Sequence, residues 1–291
     1  MHFRNFFASS SSNRVKEGFS IRKSLLVLAL ALLLAGCSAA PAGEVLTPPT
    51  LAPGDSPAPE PVDAVLVDQA PWFATFRVVA GAETGNLVLA ANGGSAGEVY
   101  TLSTEGLSLD RPVENGELIN VYYEIVLETY PAQFGGVTAV EHTRTERDDR
   151  CGLYLQVLED LWEVDPGLNT DLEELGVDFS GLTDLTESEK SALAWVFGNA
   201  HGLMPITGTL EEIWQAGYLT PMTEPAEGYE DSVALYRWEN GCLFSLTGSA
   251  EDGFDAEKWT SGIGAYMFVD CTARQNADGT WSYTVGAEAI S

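Results

Sequence analysis

The sequence predicts an α+β protein with two folded parts: a small all-β domain over residues 62–145 and, over residues 146–291, a domain whose helices precede antiparallel strands. Three observations carry that expectation. Apolar and polar residues alternate in short runs up to His142, the spacing shifts to i, i+3, i+4 from about Asp148, and alternation returns at Val233. Residues 1–61 show neither pattern and are expected to stand outside both domains.

Residues 1–36 read as a targeting peptide. A basic stretch (Arg4, Arg14, Lys16, Arg22, Lys23) precedes an apolar run from Leu25 to Leu34, long enough for a signal segment and short for a membrane span. The run ends in Leu34-Ala35-Gly36-Cys37, which resembles the lipobox of bacterial lipoproteins. That resemblance implies a lipid on the Cys37 thiol, cleavage between Gly36 and Cys37, and a mature chain anchored to the outer side of the cell membrane. Residues 37–61 then form the lipidated cysteine and a tether. Seven of the fourteen prolines fall in positions 38–61, a composition that stays extended and buries no core.

Charge excludes one class of partner. The chain has 14 Lys and Arg against 43 Asp and Glu; loss of residues 1–36, with five basic residues and one acidic, leaves nine against 42, a net of −33. Such a surface repels phosphate backbones, so nucleic acid is not an expected partner.

In residues 62–145, strands are expected over Val62–Val67, Trp72–Val79, Asn86–Ala91, Glu98–Leu102, Leu118–Leu127 and Val137–His142, separated by Gly81, Asn92-Gly93-Gly94 and Asn115-Gly116. Five or six short strands in about 80 residues suit a small closed barrel of the OB type. Pro131 cannot donate to a ladder, so it should end the long strand, with Tyr130 plugging the barrel mouth.

The segment Asn115-Gly116-Glu117-Leu118-Ile119-Asn120-Val121-Tyr122-Tyr123, followed by Glu128-Thr129-Tyr130-Pro131-Ala132-Gln133, resembles a small domain of Firmicute lipoproteins. That family repeats G-[DE]-x-[VI]-x-V and then [ST]-Y-P-A-Q. The resemblance implies an OB-like barrel without an established activity.

From residue 146 the pattern is helical. Leu153, Tyr154, Val157, Leu158 and Leu161 share a face capped by Asp148 or Asp149; Thr186 with Glu189 and Thr209 with Glu212 are capping boxes for two further helices that Gly202 and Gly217 close. Strands follow at Val233–Trp238, Cys242–Thr247, Gly264–Arg274 and Thr280–Ala289, with hairpin turns at Glu239-Asn240-Gly241 and Asn276-Ala277-Asp278-Gly279. Trp195, Phe197 and Trp214 are placed to cover one face of the sheet. The ending, from Gly264-Ala265-Tyr266 to Trp281-Ser282-Tyr283-Thr284-Val285-Gly286-Ala287-Glu288, resembles C-terminal domains of clostridial exported proteins. An NTF2- or cystatin-like fold is the expectation.

Candidate sites are few. Gly93-Gly94-Ser95-Ala96-Gly97 satisfies G-x-S-x-G, but strands on both sides make it a hairpin loop where a nucleophile needs a strand-to-helix turn. His142 and His201 lack zinc spacing, and His201 is placed to cap a helix C-terminus. Asp165, Asn169, Asp171 and Asp178 lie in a segment rich in oxygen ligands without the calcium-loop pattern. Glu173-Glu174, Glu211-Glu212 and Glu230-Asp231 read as solvated faces. With Cys37 acylated, Cys151, Cys242 and Cys271 remain, and a bridge between Cys242 and Cys271 is one arrangement the strands allow. The seven tryptophans include candidates for a sugar-stacking platform, but spacing places at least four of them on core faces and no single one marks a carbohydrate site. No catalytic residue, metal or cofactor is assigned. The expected function is a non-enzymatic binding or interaction module at the cell envelope, the alternative being an envelope hydrolase working through paired carboxylates.

Overall fold

A computed structural model describes residues 72–223 and 232–291, all within one compact unit, Leu66–Ser291. Cys37 and its lipobox, the tether, the strand expected over Val62–Val67, and Glu230-Asp231 lie outside the described residues.

The chain is α+β, mostly sheet with three α-helices among the described residues. The first sheet comprises β1 (Trp72–Ala80), β2 (Asn86–Ala91), β3 (Tyr100–Ser103), β4 (Leu118–Tyr123), β5 (Ile125–Leu127), β6 (Ala132–Gly135) and β7 (Ala139–His142). Its order is β5-β6-β3-β2-β1-β4-β7, antiparallel except for β3 beside β6. The ladder is thus an open sheet rather than the closed barrel expected. Alternation explains its inner face: Phe76, Val78, Leu87, Leu89, Ile119 and Val121 bury one side of the sheet together with Leu102, Val113 and Val140.

Two details depart from the expected pattern. The strand foreseen over Leu118–Leu127 breaks at Glu124, whose N–H bonds to the Gly135 carbonyl at 3.1 Å, and the chain after Pro131 re-enters the sheet as β6. Tyr130 is 52% exposed and plugs nothing. Tyr123, Tyr100 and Phe134 close that end instead, with ring centroids 5.0–5.5 Å apart around Phe134.

The second sheet holds β8 (Glu174–Asp178), β9 (Pro205–Thr207), β10 (Thr220–Pro221), β11 (Tyr236–Arg237), β12 (Gly241–Ser249), β13 (Gly253–Ser261), β14 (Gly264–Gln275), β15 (Trp281–Thr284) and β16 (Ala287–Ile290). Strands β12, β13, β14 and β16 form an antiparallel run, while β8 lies parallel to both β12 and β9. The helices are α1 (Arg150–Glu163), α2 (Glu187–Ala200) and α3 (Leu210–Gln215). Helix α2 therefore crosses between two neighbouring parallel strands, a unit the helices-then-meander expectation lacked. The turn at Glu239-Asn240-Gly241 is no hairpin either, because β11 pairs with β13. The Asn276–Gly279 turn does join paired strands, β14 and β15.

The helix caps match the sequence. Asp149, not Asp148, accepts from the Gly152 N–H at 3.2 Å; both capping boxes form; Gly202 and Gly217 adopt φ of +71° and +85° just past their helices. Buried residues of α1 (Leu153, Tyr154, Val157, Leu158, Leu161) and α2 (Leu193, Phe197) share one core with Phe244, Phe254 and Phe268 of the second sheet and with Val79, Val88 and Ala90 of the first. Trp195 and Phe197 serve this core, whereas Trp214 packs on the opposite face of the second sheet beside Trp238 and Trp259, so the three do not cover one face.

Candidate functional site

Among the described residues, the sequence candidates have definite places. Ser95 is exposed in the β2–β3 hairpin loop, and that loop is pinned to α2, where Ser191 Oγ accepts from the Gly97 N–H at 2.8 Å. His142 ends β7; its Nδ1 lies 3.0 Å from Glu117 Oε2 and its Nε2 3.2 Å from the Arg111 carbonyl. Both neighbours are acceptors, so an imidazolium serves both and a neutral ring only one. Glu117 is buried, and burial pushes its carboxyl up; hydrogen bonds from Arg111 and the Glu114 N–H, with the Arg111 and His142 charges, outweigh this and hold it below the ordinary value. His201 caps α2 and stacks on Trp162, centroids 3.6 Å apart, with Nε2 3.2 Å from Glu159 Oε2.

The oxygen-rich segment after α1 is occupied by the protein itself. Lys258 of β13 is fully buried, and its Nζ donates to the carbonyls of Trp162 at 3.3 Å, Val164 and Asp165 at 3.1 Å, and to Asn169 Oδ1 at 2.7 Å. Pro166 stands where the next helical N–H would meet the Trp162 carbonyl, which frees that oxygen for the ammonium. Asp178 turns to the Ser180 N–H and hydroxyl instead, and no three His, Cys, Asp or Glu side chains are grouped to hold a metal among the described residues. Of the four residues singled out in the sequence, Asn169 alone meets the ammonium with its side chain and Asp165 with its carbonyl. The Trp162 and Val164 carbonyls were not foreseen, nor was the cation, which lies 89 residues beyond Asn169.

The acidic pairs are not simply solvated. Glu174 accepts from the Trp238 indole N–H, Glu173 from Asn240 Nδ2 at 3.2 Å, and Glu212 completes its capping box. Asp149 is mostly buried between Arg147 at 3.6 Å and the α1 N-terminus; desolvation prevails over both and raises its carboxyl to about 6.

Cys151, Cys242 and Cys271 are buried free thiols, so the bridge between Cys242 and Cys271 is not formed. The register explains it. Leu243, next to Cys242, faces Trp259 on β13, whereas Cys271 faces Phe254, five residues along the same strand. Cys242, one residue beyond Leu243, thus lies six residues, or about 20 Å, along the strands from Cys271, well beyond disulfide reach.

A shallow cavity of about 430 Å³ opens beside Glu117 and His142, lined by Ala82, Leu87, Leu107, Leu109, Val113 and, at its rim, Asp110 and Arg111. Asp110 is its one carboxylate, so it does not present the facing acid pair a glycosidase uses.

A different surface gathers free polar groups. On the outer side of the first sheet, Phe73 of β1 faces Tyr122 of β4, and one row further Thr75, Asn120 and Glu141 lie side by side across β1, β4 and β7. Phe73 is 60% exposed and stacks on Tyr122 with centroids 5.3 Å apart and planes at 26°. Thr75 Oγ1 donates to Asn120 Oδ1 at 2.7 Å, and Tyr122 OH to Glu141 Oε2 at 3.0 Å. The Asn120 amide N–H groups and the second Glu141 oxygen thus stay open to a ligand.

No protein-family model, curated protein or solved structure matches this chain. Function has to be read from its own residues. Among those described, no helix is long and apolar enough to cross a membrane.

Proposed function

We propose that this chain is a lipid-anchored binding module on the outer side of the cell membrane, carried away from the bilayer by its proline-rich tether. The observation that carries this reading is the sequence Leu34-Ala35-Gly36-Cys37 at the end of a basic-then-apolar leader, with seven prolines in the next 24 residues. The polar groups left open beside an exposed ring on the first sheet support binding as the activity. The kinship with Firmicute and clostridial exported proteins is part of the same proposal.

An OB-like ancestry for residues 62–145 has support in the strand order. Strands β4 and β5 are separated by Glu124 alone, so the two ends of the path β4-β1-β2-β3-β6-β5 belong to one bent segment, and β3 runs parallel to β6. An NTF2- or cystatin-like ancestry for residues 146–291 draws support from α1 packing against the antiparallel run β13–β14. The β8-α2-β9 unit is an addition that neither fold needs.

Mass spectrometry of the protein from its native membranes tests the anchor. The expected N-terminal residue is Cys37 carrying a diacylglyceryl group, and Cys37→Ala should release the chain into the aqueous phase on detergent partitioning. A native chain that begins before residue 37 and partitions into water would refute the reading.

A further inference from the structure

We infer that the outer face of the first sheet around Phe73 is a binding site for a neutral pyranose glycan. This names a ligand class for the binding module proposed above and rests on that reading. One face of the Phe73 ring lies on Tyr122. The strand that would flank the other face, β2, ends at Ala91 opposite Phe76, three residues short of Phe73, so that second face opens to solvent. Beneath it the Asn92 N–H bonds to the Thr75 carbonyl at 2.9 Å, which extends the polar row to four side chains: Asn92, Thr75, Asn120 and Glu141.

An exposed ring face beside a row of amide donors and a carboxylate acceptor matches the two sides of a sugar. The C–H face of a pyranose lies on the ring, and its hydroxyls, each both donor and acceptor, meet the amides and the carboxylate. A protein partner fits less well. Closing over this face, it would bury two amides and a carboxylate that each need a matched partner, with an appreciable penalty for every one left unpaired. The charge of the chain selects further, since a net of −33 after loss of residues 1–36 repels a phosphate-bearing polymer and is indifferent to a neutral glycan.

The test is calorimetric titration of the full chain, carried in detergent micelles, with two soluble probes. The N-acetylglucosamine hexamer stands for wall-type glycan and cellohexaose for an environmental glucan. One of them should bind, and Phe73→Ala and Asn92→Ala should each weaken that binding about tenfold. Trp72→Ala removes an equally exposed ring from the opposite face of the same strand and should change nothing. Both Phe73 and Asn92 are exposed, so unchanged melting curves certify the fold of the variants. Absence of binding to both probes at millimolar concentration, or affinity that survives Phe73→Ala, overturns the proposal. Neither result touches the acyl mass on Cys37; conversely, sugar binding by a chain without that acyl group removes the envelope reading alone.

Discussion

Replacing Lys258 by methionine keeps a four-atom stem out to Cε and deletes the ammonium that gathers the end of α1. Four oxygens lose their donor, but not all equally. The Asp165 carbonyl keeps a bond from the Leu168 N–H at 3.1 Å. Among the described residues, the Trp162 and Val164 carbonyls and Asn169 Oδ1 have no other hydrogen-bond donor. Three stranded acceptors at about 1–3 kcal/mol each set the loss, and the avoided cost of burying an ammonium offsets part of it. The expected net destabilisation is about 3–5 kcal/mol, the lower part of that sum once the ammonium's desolvation is subtracted.

Urea unfolding followed by tryptophan fluorescence reads this directly, since Trp162 stands at the affected turn. The midpoint should fall while the slope stays constant, because the same surface is exposed on unfolding. The double substitution Lys258→Met with Asn169→Leu should cost less than the two single costs added, because each removes the reason for the other's penalty. A loss below about 1 kcal/mol for Lys258→Met would show that desolvation of the ammonium cancels its hydrogen bonds. The reasoning would then be wrong.

Two further outcomes are expected. Burial raises Asp149 from 3.8 to about 6 in the folded chain, so between those values the native state holds more protons than the unfolded one and stability falls as pH rises. Wild type should lose up to about 3 kcal/mol across that window relative to Asp149→Asn, which keeps the helix cap without the charge, and parallel pH profiles would contradict this. Burial pushes the Cys242 thiol to about 12 and Cys271 to about 11, so both should resist a thiol reagent at pH 8 until the chain is unfolded. A peptide map joining Cys242 to Cys271 would mean that the strand register is different.

Local chemistry was legible in the sequence to within a residue or two. The capping boxes at Thr186 and Thr209 and the helix stops at Gly202 and Gly217 depend on contacts three or four residues long, and they form as read. So does the hairpin around Ser95, whose glycines fit a tight loop between strands. Pairing was far less legible. Strand β13, Gly253–Ser261, was missed altogether because its alternation carries Asp255, Glu257 and Lys258, and nothing nearby announces that the Lys258 ammonium has partners on α1. Breaks at Glu124 and at Val285-Gly286 split two runs that read as single strands.

The candidate surface shows the same division. Phe73 and Tyr122 were visible as alternating strand residues, but their stacking needs the β1–β4 register, and the exposure of Phe73 needs β2 to end early. Likewise Glu117 and His142 stand 25 residues apart and meet only because β4 pairs with β7.

By itself, then, the sequence determined the α+β class, the helix ends and the acidic composition, all of which follow from residue type and short-range spacing, and it alone carries the Leu34–Cys37 segment on which the proposed anchor rests. Tertiary structure alone decided that the β-rich part is an open sheet, that Lys258 fills the oxygen-rich turn, and that Cys242 and Cys271 stay apart. The physical reason is that register and burial are set by which distant strands compete best for each backbone edge and each apolar face, a choice made by the whole chain at once.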